Sequence, residues 1–330
     1  MRRHGNSPQS NGSFLHARSL SAALLYFLPT ALPGLIGWLN GLLAVPIFLL
    51  LQTADDERTG VRQISNGLLT AGIGSLLLGR FSMFLFTLTM LPLGYSLHLS
   101  VARQKTPAES GAVGALVLAV SWFLFWSVYG TVTGMNPYIG LLADMDALLE
   151  QFMVVYRENP DIPVETQYVL EQLIAEMRVL LPRILPGLLA GMVLITVALN
   201  MVVGRCLMRR LVPEKAVWPP YSAWRLPDKA VWLLICAVAL FLVGTGGVKN
   251  IGSSLMLVAG LLYFFQGAAV VLHVLNRWNL PRIFRFFVYA LLLLQRYGML
   301  LVIIVGIADT WADFRKSDHE NNKENKDTTE

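Results

Sequence analysis

The stretch that decides the fold spans residues 249–316 and reads KNIGSSLMLVAGLLYFFQGAAVVLHVLNRWNLPRIFRFFVYALLLLQRYGMLLVIIVGIADTWADFRK. It contains two long apolar runs, 250–276 and 286–308, joined by the basic turn RWNLPR at 277–282. An α-helix rises about 1.5 Å per residue, so each run is long enough to cross about 30 Å of hydrocarbon. The pattern predicts two transmembrane helices, and hence a membrane protein.

The composition of the whole chain agrees with this class. Of the 330 residues, 55% are hydrophobic and only 14% are charged, whereas soluble domains carry roughly 25% charged residues. The mean hydropathy is +0.56, and the apolar residues occur in blocks instead of at amphipathic spacing. The net charge of +5 comes from basic residues in short loops between these blocks. Membrane topology explains such loops better than nucleic-acid binding does, and we expect no nucleic-acid partner.

The remaining apolar blocks predict a polytopic bundle. They comprise residues 20–51, 64–79, 81–102, 111–133, 184–204 and 230–248. The first block is interrupted by Pro29, Pro33 and Pro46, which favours two crossings or one broken hairpin with a turn at residues 38–41. A single tilted helix is the alternative. With the closing pair, these blocks give nine spans, or eight if residues 20–51 cross only once.

Residues 134–181 differ from the rest of the chain. Their apolar residues fall at helical spacing, and the opposite face is mostly acidic. This pattern predicts two amphipathic helices, separated at Asp161-Ile-Pro163 and lying on the bundle or at the membrane surface. An acidic face suits anionic headgroups poorly, so we expect these helices to dock on the protein.

The predicted fold class is therefore an all-α, polytopic transmembrane helical bundle of eight to nine spans, with an amphipathic helical insertion on the outer face. The predicted organisation is a disordered cytoplasmic tail, N-terminal transmembrane helices, extracytoplasmic amphipathic helices, C-terminal transmembrane helices and a second disordered tail, at residues 1–19, 20–133, 134–182, 183–316 and 317–330. The basic loops 103–105, 205–229 and 277–285 favour the cytoplasm. The N-terminus is then cytoplasmic, and Asp309 is external.

Arg296 is the sharpest candidate for function. It lies near the middle of the run 286–308, where a charge costs about 3 kcal/mol on insertion scales. One interpretation is an anchor for an anionic group of a ligand or lipid. A second is a packing role, in which Arg296 pairs with backbone carbonyls or with Gln266. A third is a broken helix that leaves Arg296 near an interface.

Five further polar residues in the closing stretch are candidates for a ligand or packing site. Gln266 and His273 are seven apart and share a helix face, which predicts an interhelical hydrogen bond for Gln266 and leaves a proton relay open for His273. Asp309 and Asp313 are four apart at the end of the last run, where they could bind Arg315 or a neighbouring loop. An interfacial helix end without a special role is the alternative.

No catalytic or cofactor-binding pattern is present in the sequence. The two cysteines, Cys206 and Cys236, lie at ends of apolar runs without metal-ligand spacing. We expect them to be buried, inert thiols. The sequence also lacks a nucleophile–base arrangement, so it predicts no enzyme activity, no metal and no cofactor.

The closing stretch resembles a known family through Tyr263-Phe-Phe-Gln266-Gly267 and Gly306-Ile-Ala-Asp309-Thr-Trp-Ala-Asp313-Phe-Arg315. These motifs are similar to the YybS-like family of bacterial multi-pass membrane proteins. That family is distantly similar to the substrate-capturing membrane subunits of energy-coupling-factor vitamin transporters. The resemblance implies a helical bundle with a small-molecule cavity, although the acidic segment 134–181 departs from the compact six-helix pattern of those subunits.

Two functional hypotheses follow. The first is a transporter-subunit-like, small-molecule or lipid-handling protein of the bacterial inner membrane, which would work with a separate transport ATPase module. The second is a non-catalytic membrane scaffold that organises an envelope or division complex through its acidic outer helices and basic loop. In both cases the lipid bilayer is the immediate partner.

Overall fold

The computed structural model describes residues 9–54, 56–159, 163–215, 217–278, 280–295, 297–312 and 314–315, with side chains from residue 20 onward except at positions 282 and 293. Every regular element in these ranges is a helix, which confirms the all-α class. The helices form two compact units, which are described one at a time. Unit 1 comprises Met1–Gly134 and Val193–Trp218, and unit 2 comprises Met135–Met192 and Pro219–Glu330.

Four described helices are long and apolar enough to cross a membrane: Phe81–Ala102 (with a short break inside), Pro107–Thr133, Val164–Leu211 and Gly247–Arg277. A fifth candidate is the bent pair Leu20–Ala31 and Pro33–Leu42. Further apolar helices are only 10–17 residues long. The chain is thus an integral membrane protein with four to five candidate spans among its described residues, and the predicted count of eight to nine is not confirmed.

The described part of unit 1 contains seven α-helices and the end of a long eighth one. The seven are α1 (Gln9–Ala31), α2 (Pro33–Ile36), α3 (Ala44–Thr53), α4 (Glu57–Leu77), α5 (Phe81–Thr87), α6 (Met90–Ala102) and α7 (Pro107–Thr133). A 3₁₀ helix, Gly37–Leu42, joins α2 to α3. The core lies where α3, α6 and α7 meet, and Phe48, Met90, Leu93 and Leu118 are almost fully buried there.

Residues 20–51 do not form one straight helix. The axis bends by 103° between Leu20–Ala31 and Pro33–Leu42, because Pro33 has no backbone N–H to continue α1. The predicted turn at residues 38–41 coincides with the 3₁₀ helix. We call residues 36–43, from the end of α2 to the start of α3, the break of unit 1.

Buried side chains satisfy backbone carbonyls at this interruption. The Tyr26 hydroxyl donates to Leu43 O at 2.6 Å, and Asn200 Nδ2 donates to Gly41 O at 2.5 Å. Arg80 Nη1 donates to Ala31 O at 2.6 Å, at the C-terminus of α1. An unpaired carbonyl in a membrane protein costs free energy, so these contacts stabilise the bend.

Two helices in unit 1 begin several residues before the apolar run that each contains. The charged segment 55–62 lies between the apolar blocks 20–51 and 64–79, yet α4 already begins at Glu57. Glu, Arg and Gln are good helix formers, so hydropathy alone does not mark this start. By contrast, α7 begins at a capping box, in which Glu109 N donates to Thr106 Oγ1 and Thr106 N donates to Glu109 Oε2. It ends at Gly134, which has a φ of +68°.

In unit 2, the acidic segment forms α8 (Pro137–Arg157) and the first part of α9 (Val164–Leu211). Arg178 pairs with Asp146 at 2.7 Å and with Glu150 at 2.6 Å, and Arg157 pairs with Glu171 at 2.8 Å. These ion pairs join α8 to α9. The predicted separator, Asp161-Ile-Pro163, lies mostly outside the described residues.

The helix α9 continues through Pro182 and Pro186. The apolar pattern predicted two helices here, an amphipathic helix and a separate span, but they form one continuous helix. Pro186 has no N–H, and Pro182 O therefore lacks its usual helical donor four residues on. The Tyr138 hydroxyl of α8 donates to that carbonyl at 3.3 Å. A neighbouring side chain thus supplies the hydrogen bond that the proline removes.

This contact gives a testable expectation. Tyr138→Phe removes one hydrogen bond and should lower the free energy of unfolding by about 0.5–1.5 kcal/mol. In a Pro186→Ala background the backbone N–H of residue 186 can donate to Pro182 O, so the same change should have little effect. Thermal unfolding of the four proteins in detergent measures both values. Equal losses in both backgrounds would show that the hydroxyl does not substitute for the missing donor.

The rest of unit 2 comprises a 3₁₀ helix (Tyr221–Ala223) and α10 (Ala230–Val243), α11 (Gly247–Arg277), α12 (Arg282–Leu294) and α13 (Gly298–Ala312). The predicted run 250–276 corresponds to α11. The run 286–308 is not one continuous helix, because α12 ends at Leu294 and Gln295 is extended, with φ −75° and ψ 133°. The prediction of a single helix is therefore wrong, and the break agrees with the alternative of a broken helix. A Cβ on Gly298 would lie 1.9 Å from Leu292 O, so only glycine permits this sharp turn.

Both cysteines are exposed, and the expectation that they are buried is wrong. The outer surface of a membrane protein faces lipid, where an apolar residue needs no protein partner. Apolar surroundings in the sequence therefore do not predict burial within the protein.

Candidate functional site

The candidate site lies where α11 and α13 of unit 2 cross. Two glycines bring the backbones into direct contact: a Cβ on Gly267 would lie 1.9 Å from Val302 O, and a Cβ on Gly306 would lie 2.0 Å from Tyr263 O. Small residues permit such close helix approach in membranes. The crossing places Gln266, beside Gly267, next to Asp309, three residues after Gly306.

A buried ion pair forms beside this crossing. Arg315 Nη2 donates to Asp309 Oδ2 at 2.7 Å, and Gln266 Nε2 donates to the same oxygen at 3.0 Å. The exposed fractions of the Arg315 and Asp309 side chains are only 4% and 2%. We call Gln266, Asp309 and Arg315 the polar cluster. Its members are a cation, an anion and an amide, all withdrawn from water.

The segment before α10 completes the surroundings of the polar cluster. Arg315 Nη1 donates to Ser222 O at 3.0 Å and to Trp224 O at 2.7 Å, and Leu226 N donates to Gln266 Oε1 at 3.4 Å. These contacts contradict one sequence-based expectation. The loop 205–229 and Asp309 were expected on opposite faces of the membrane, but residues 222–226 contact Gln266 and Arg315, which are the partners of Asp309.

Tyr221 fixes this segment to α11. Its hydroxyl donates to Phe265 O at 2.7 Å. Burial raises the pKa of the Tyr221 phenol well above its ordinary value, so the hydroxyl remains a donor at any physiological pH. The carbonyls that hold Arg315 are therefore tied to the helix that carries Gln266.

The polar cluster is not fully satisfied by the described residues. Asp309 Oδ1 and Arg315 Nε are both buried and have no hydrogen-bond partner in the described part of the chain. Buried charges normally pair every available donor and acceptor, because each unpaired one costs free energy. Ionisable residues within membrane segments usually mark a functional site. The cluster therefore retains one acceptor and one donor for a further group.

The predicted site residues fall into three sets. Gln266, Asp309 and Arg315 lie together in the polar cluster. His273 is half-buried on α11, about 10 Å along the helix axis from Gln266. Arg296 and Asp313 lie outside the described residues.

The sequence does not indicate that the backbone groups of Ser222, Trp224 and Leu226 bind Arg315 and Gln266. They lie about 90 residues from Arg315 in the chain, and their side chains do not make these contacts. The aromatic residues around position 221 are typical of an interfacial loop and do not indicate these contacts.

A second polar feature of unit 2 is a groove of about 180 Å³ between α8 and α9, with Asp146 and Arg178 on an otherwise apolar wall. These two side chains are 58% and 42% exposed and already pair with each other. They are therefore expected to bind a charged ligand more weakly than the polar cluster does. Among the described residues, no group of three or more His, Cys, Asp or Glu side chains could hold a metal ion.

The family model of predicted membrane proteins called DUF2232 matches residues 20–310. The chain belongs to this family. The match includes α11, Gln266 and Asp309, while Arg315 lies five residues beyond its end. No curated protein and no solved structure matches the chain.

Proposed function

We propose that this DUF2232 protein is a transporter-subunit-like protein that handles a small molecule or lipid in the inner membrane of a bacterium. The observation that carries the proposal is the buried ion pair Asp309–Arg315, which keeps one acceptor and one donor without a described partner. A ligand with a polar or ionisable group could bind there. The resemblance to the YybS-like family, and through it to substrate-capturing transporter subunits, supports the same class.

In this proposal the shorter apolar helices also take part in the eight to nine crossings, the N-terminus is cytoplasmic, and α8 with the start of α9 lies outside the cytoplasm. The chain carries no ATPase motif, so transport would require a separate ATPase module. Gln266 and the backbone of residues 222–226 would hold the ion pair in position, and Arg315 would attract an anionic group.

The test is mass spectrometry of the small molecules and lipids that stay bound to the full chain purified in mild detergent. Asp309→Asn retains the size of the side chain but removes its charge. We expect the wild type to carry a bound molecule and the variant to carry about tenfold less, which corresponds to about 1.4 kcal/mol of lost affinity. The matched control is Asp146→Asn, which removes an exposed carboxylate from the same unit and should leave occupancy unchanged.

The abundance of each variant in the membrane is measured alongside. Occupancy is therefore compared per folded protein, because a buried Arg315 without its anion is expected to destabilise the variant. Complete loss of Asp309→Asn from the membrane would assign the ion pair to packing, and equal occupancy per folded protein in all three proteins would contradict the binding role.

A scaffold function is the second candidate, and one observation favours it. Large apolar side chains are exposed on α8 and on the acidic first part of α9, including Leu148, Val155, Tyr168 and Leu173. Exposed apolar patches often bind other proteins. Copurification of the wild type with envelope or division proteins, together with unchanged occupancy in Asp309→Asn, would favour the scaffold. Copurification with a transport ATPase pair would favour transport.

A further inference from the structure

The break of unit 1 carries a second polar centre, which is independent of the polar cluster in unit 2. Here the chain passes from α2 through the 3₁₀ helix to α3, and regular α-helical hydrogen bonding is interrupted. Interrupted helices in membrane proteins often expose backbone carbonyls to bound ions, because the polar backbone must find partners other than water.

Asn200 of α9 reaches this break from another helix. Its side chain is 1% exposed, and Nδ2 donates to Gly41 O at 2.5 Å and to Thr196 O at 2.7 Å. Both partners are acceptors, so only the nitrogen of the amide can face them. The opposite end of the amide, Oδ1, is therefore fixed in direction, and this buried oxygen has no partner among the described residues.

Asn40 provides a second acceptor of the same kind. It precedes Gly41 in the 3₁₀ helix, and its Oδ1 is also buried without a partner in the described part of the chain. Both amides adjoin Gly41: Asn40 precedes it in the chain, and Asn200 Nδ2 donates to its carbonyl. Each unpartnered oxygen would cost less free energy if a positively polarised group lay against it.

The neutral charge of these oxygens indicates which kind of cation they would bind. Divalent cations in proteins are normally held by carboxylates. The buried polar side chains described in unit 1 are hydroxyls and amides, at positions 30, 63, 75, 87, 89, 100, 110 and 200. Neutral oxygen donors suit a hard monovalent cation, since its single charge needs no countercharge from the protein. We propose that Asn40 and Asn200 bind a sodium ion at the break of unit 1.

The test compares thermal unfolding of the purified full chain in NaCl and in N-methylglucamine chloride at equal ionic strength. The wild type should unfold a few degrees higher in sodium, because a ligand that binds only the folded state raises its stability. Asn40→Ala removes an oxygen that makes no described hydrogen bond. It should therefore leave the midpoint in N-methylglucamine unchanged and abolish the increment from sodium.

Two further variants complete the design. Asn40→Asp replaces the amide oxygen with a charged one and should restore the increment, with half-saturation at a lower sodium concentration. Thr87→Val is the matched control: it removes a buried hydroxyl of unit 1 that donates within its own helix, so it should lower both midpoints equally.

An ordered water beside Asn40 and Asn200, instead of an ion, would give the wild type the same midpoint in both salts. That result, or a sodium increment that persists in Asn40→Ala, would overturn the proposal.

Discussion

Gly306→Ala is expected to prevent α11 and α13 from packing. The new Cβ would lie 2.0 Å from Tyr263 O and 2.8 Å from Gly267 N, and both atoms belong to backbone that has no rotamer to relieve the overlap. An added methyl group costs about 1–3 kcal/mol in the free energy of unfolding where neighbouring side chains can move aside. Because backbone must move here, we expect a loss above about 3 kcal/mol in the free energy of unfolding. The folded fraction recovered in detergent and its unfolding midpoint measure the effect.

The same substitution should also affect the polar cluster. When the helices separate, Gln266 can no longer reach Asp309, and the buried carboxylate loses a donor. The matched control is Gly260→Ala on α11, the other helix of the pair, where the new Cβ would lie 3.9 Å from Ile303 Cδ1. That is an ordinary contact, so the control should fold normally. Equal behaviour of the two variants would mean that the helices do not approach as closely as the structure shows.

Arg315→Leu is expected to have the second large effect. It leaves the Asp309 carboxylate buried without its cation, and breaking a buried pair in this way costs about 3–5 kcal/mol. Asp309→Leu leaves the guanidinium in the same position and should cost a similar amount. The double variant removes both charges, so its loss should be smaller than the sum of the two single losses. Thermal unfolding of the four proteins gives the coupling free energy.

An exposed ion pair in the same unit is the control for this cycle. Arg157 and Glu171 lie 2.8 Å apart, with side chains 52% and 46% exposed, and such pairs contribute about 0–1 kcal/mol. Arg157→Leu should therefore hardly change the midpoint. Additive losses at Asp309 and Arg315 would show that the two charges are not coupled in the folded protein.

The sequence predicted the membrane class and the existence of the long helices, because hydropathy depends on local composition. The apolar run 250–276 became α11, and the proline-interrupted block 20–51 became a bent pair followed by α3. Helix ends were less predictable. Gln295 and Gly298 interrupt the run 286–308, so a broken helix could be proposed there, but hydropathy did not favour it over a continuous one. Pro182 and Pro186 suggested a break that the Tyr138 hydroxyl helps to prevent.

The polar cluster was partly predictable. Asp309 and Arg315 are six residues apart, which places them on different faces of a continuous helix. They can meet because α13 ends at Ala312, so Arg315 lies outside the helix that carries Asp309. Gln266 could be proposed as an interhelical donor from its type and depth. The carbonyls of Ser222 and Trp224 could not be proposed, since every residue has a carbonyl and only the fold selects these two.

The shortness of α10 has a consequence for the surrounding bilayer. The helix has 14 residues, so it rises about 21 Å, roughly 9 Å less than a typical hydrocarbon layer. Its backbone lies close to that of α11, since a Cβ on Gly252 would be 2.5 Å from Phe241 N. If α10 crosses the membrane, as the proposed topology requires, the lipid would adapt by thinning locally, at fractions of a kcal/mol per Å. Lipids with short acyl chains should accommodate unit 2 with less deformation than lipids with long ones.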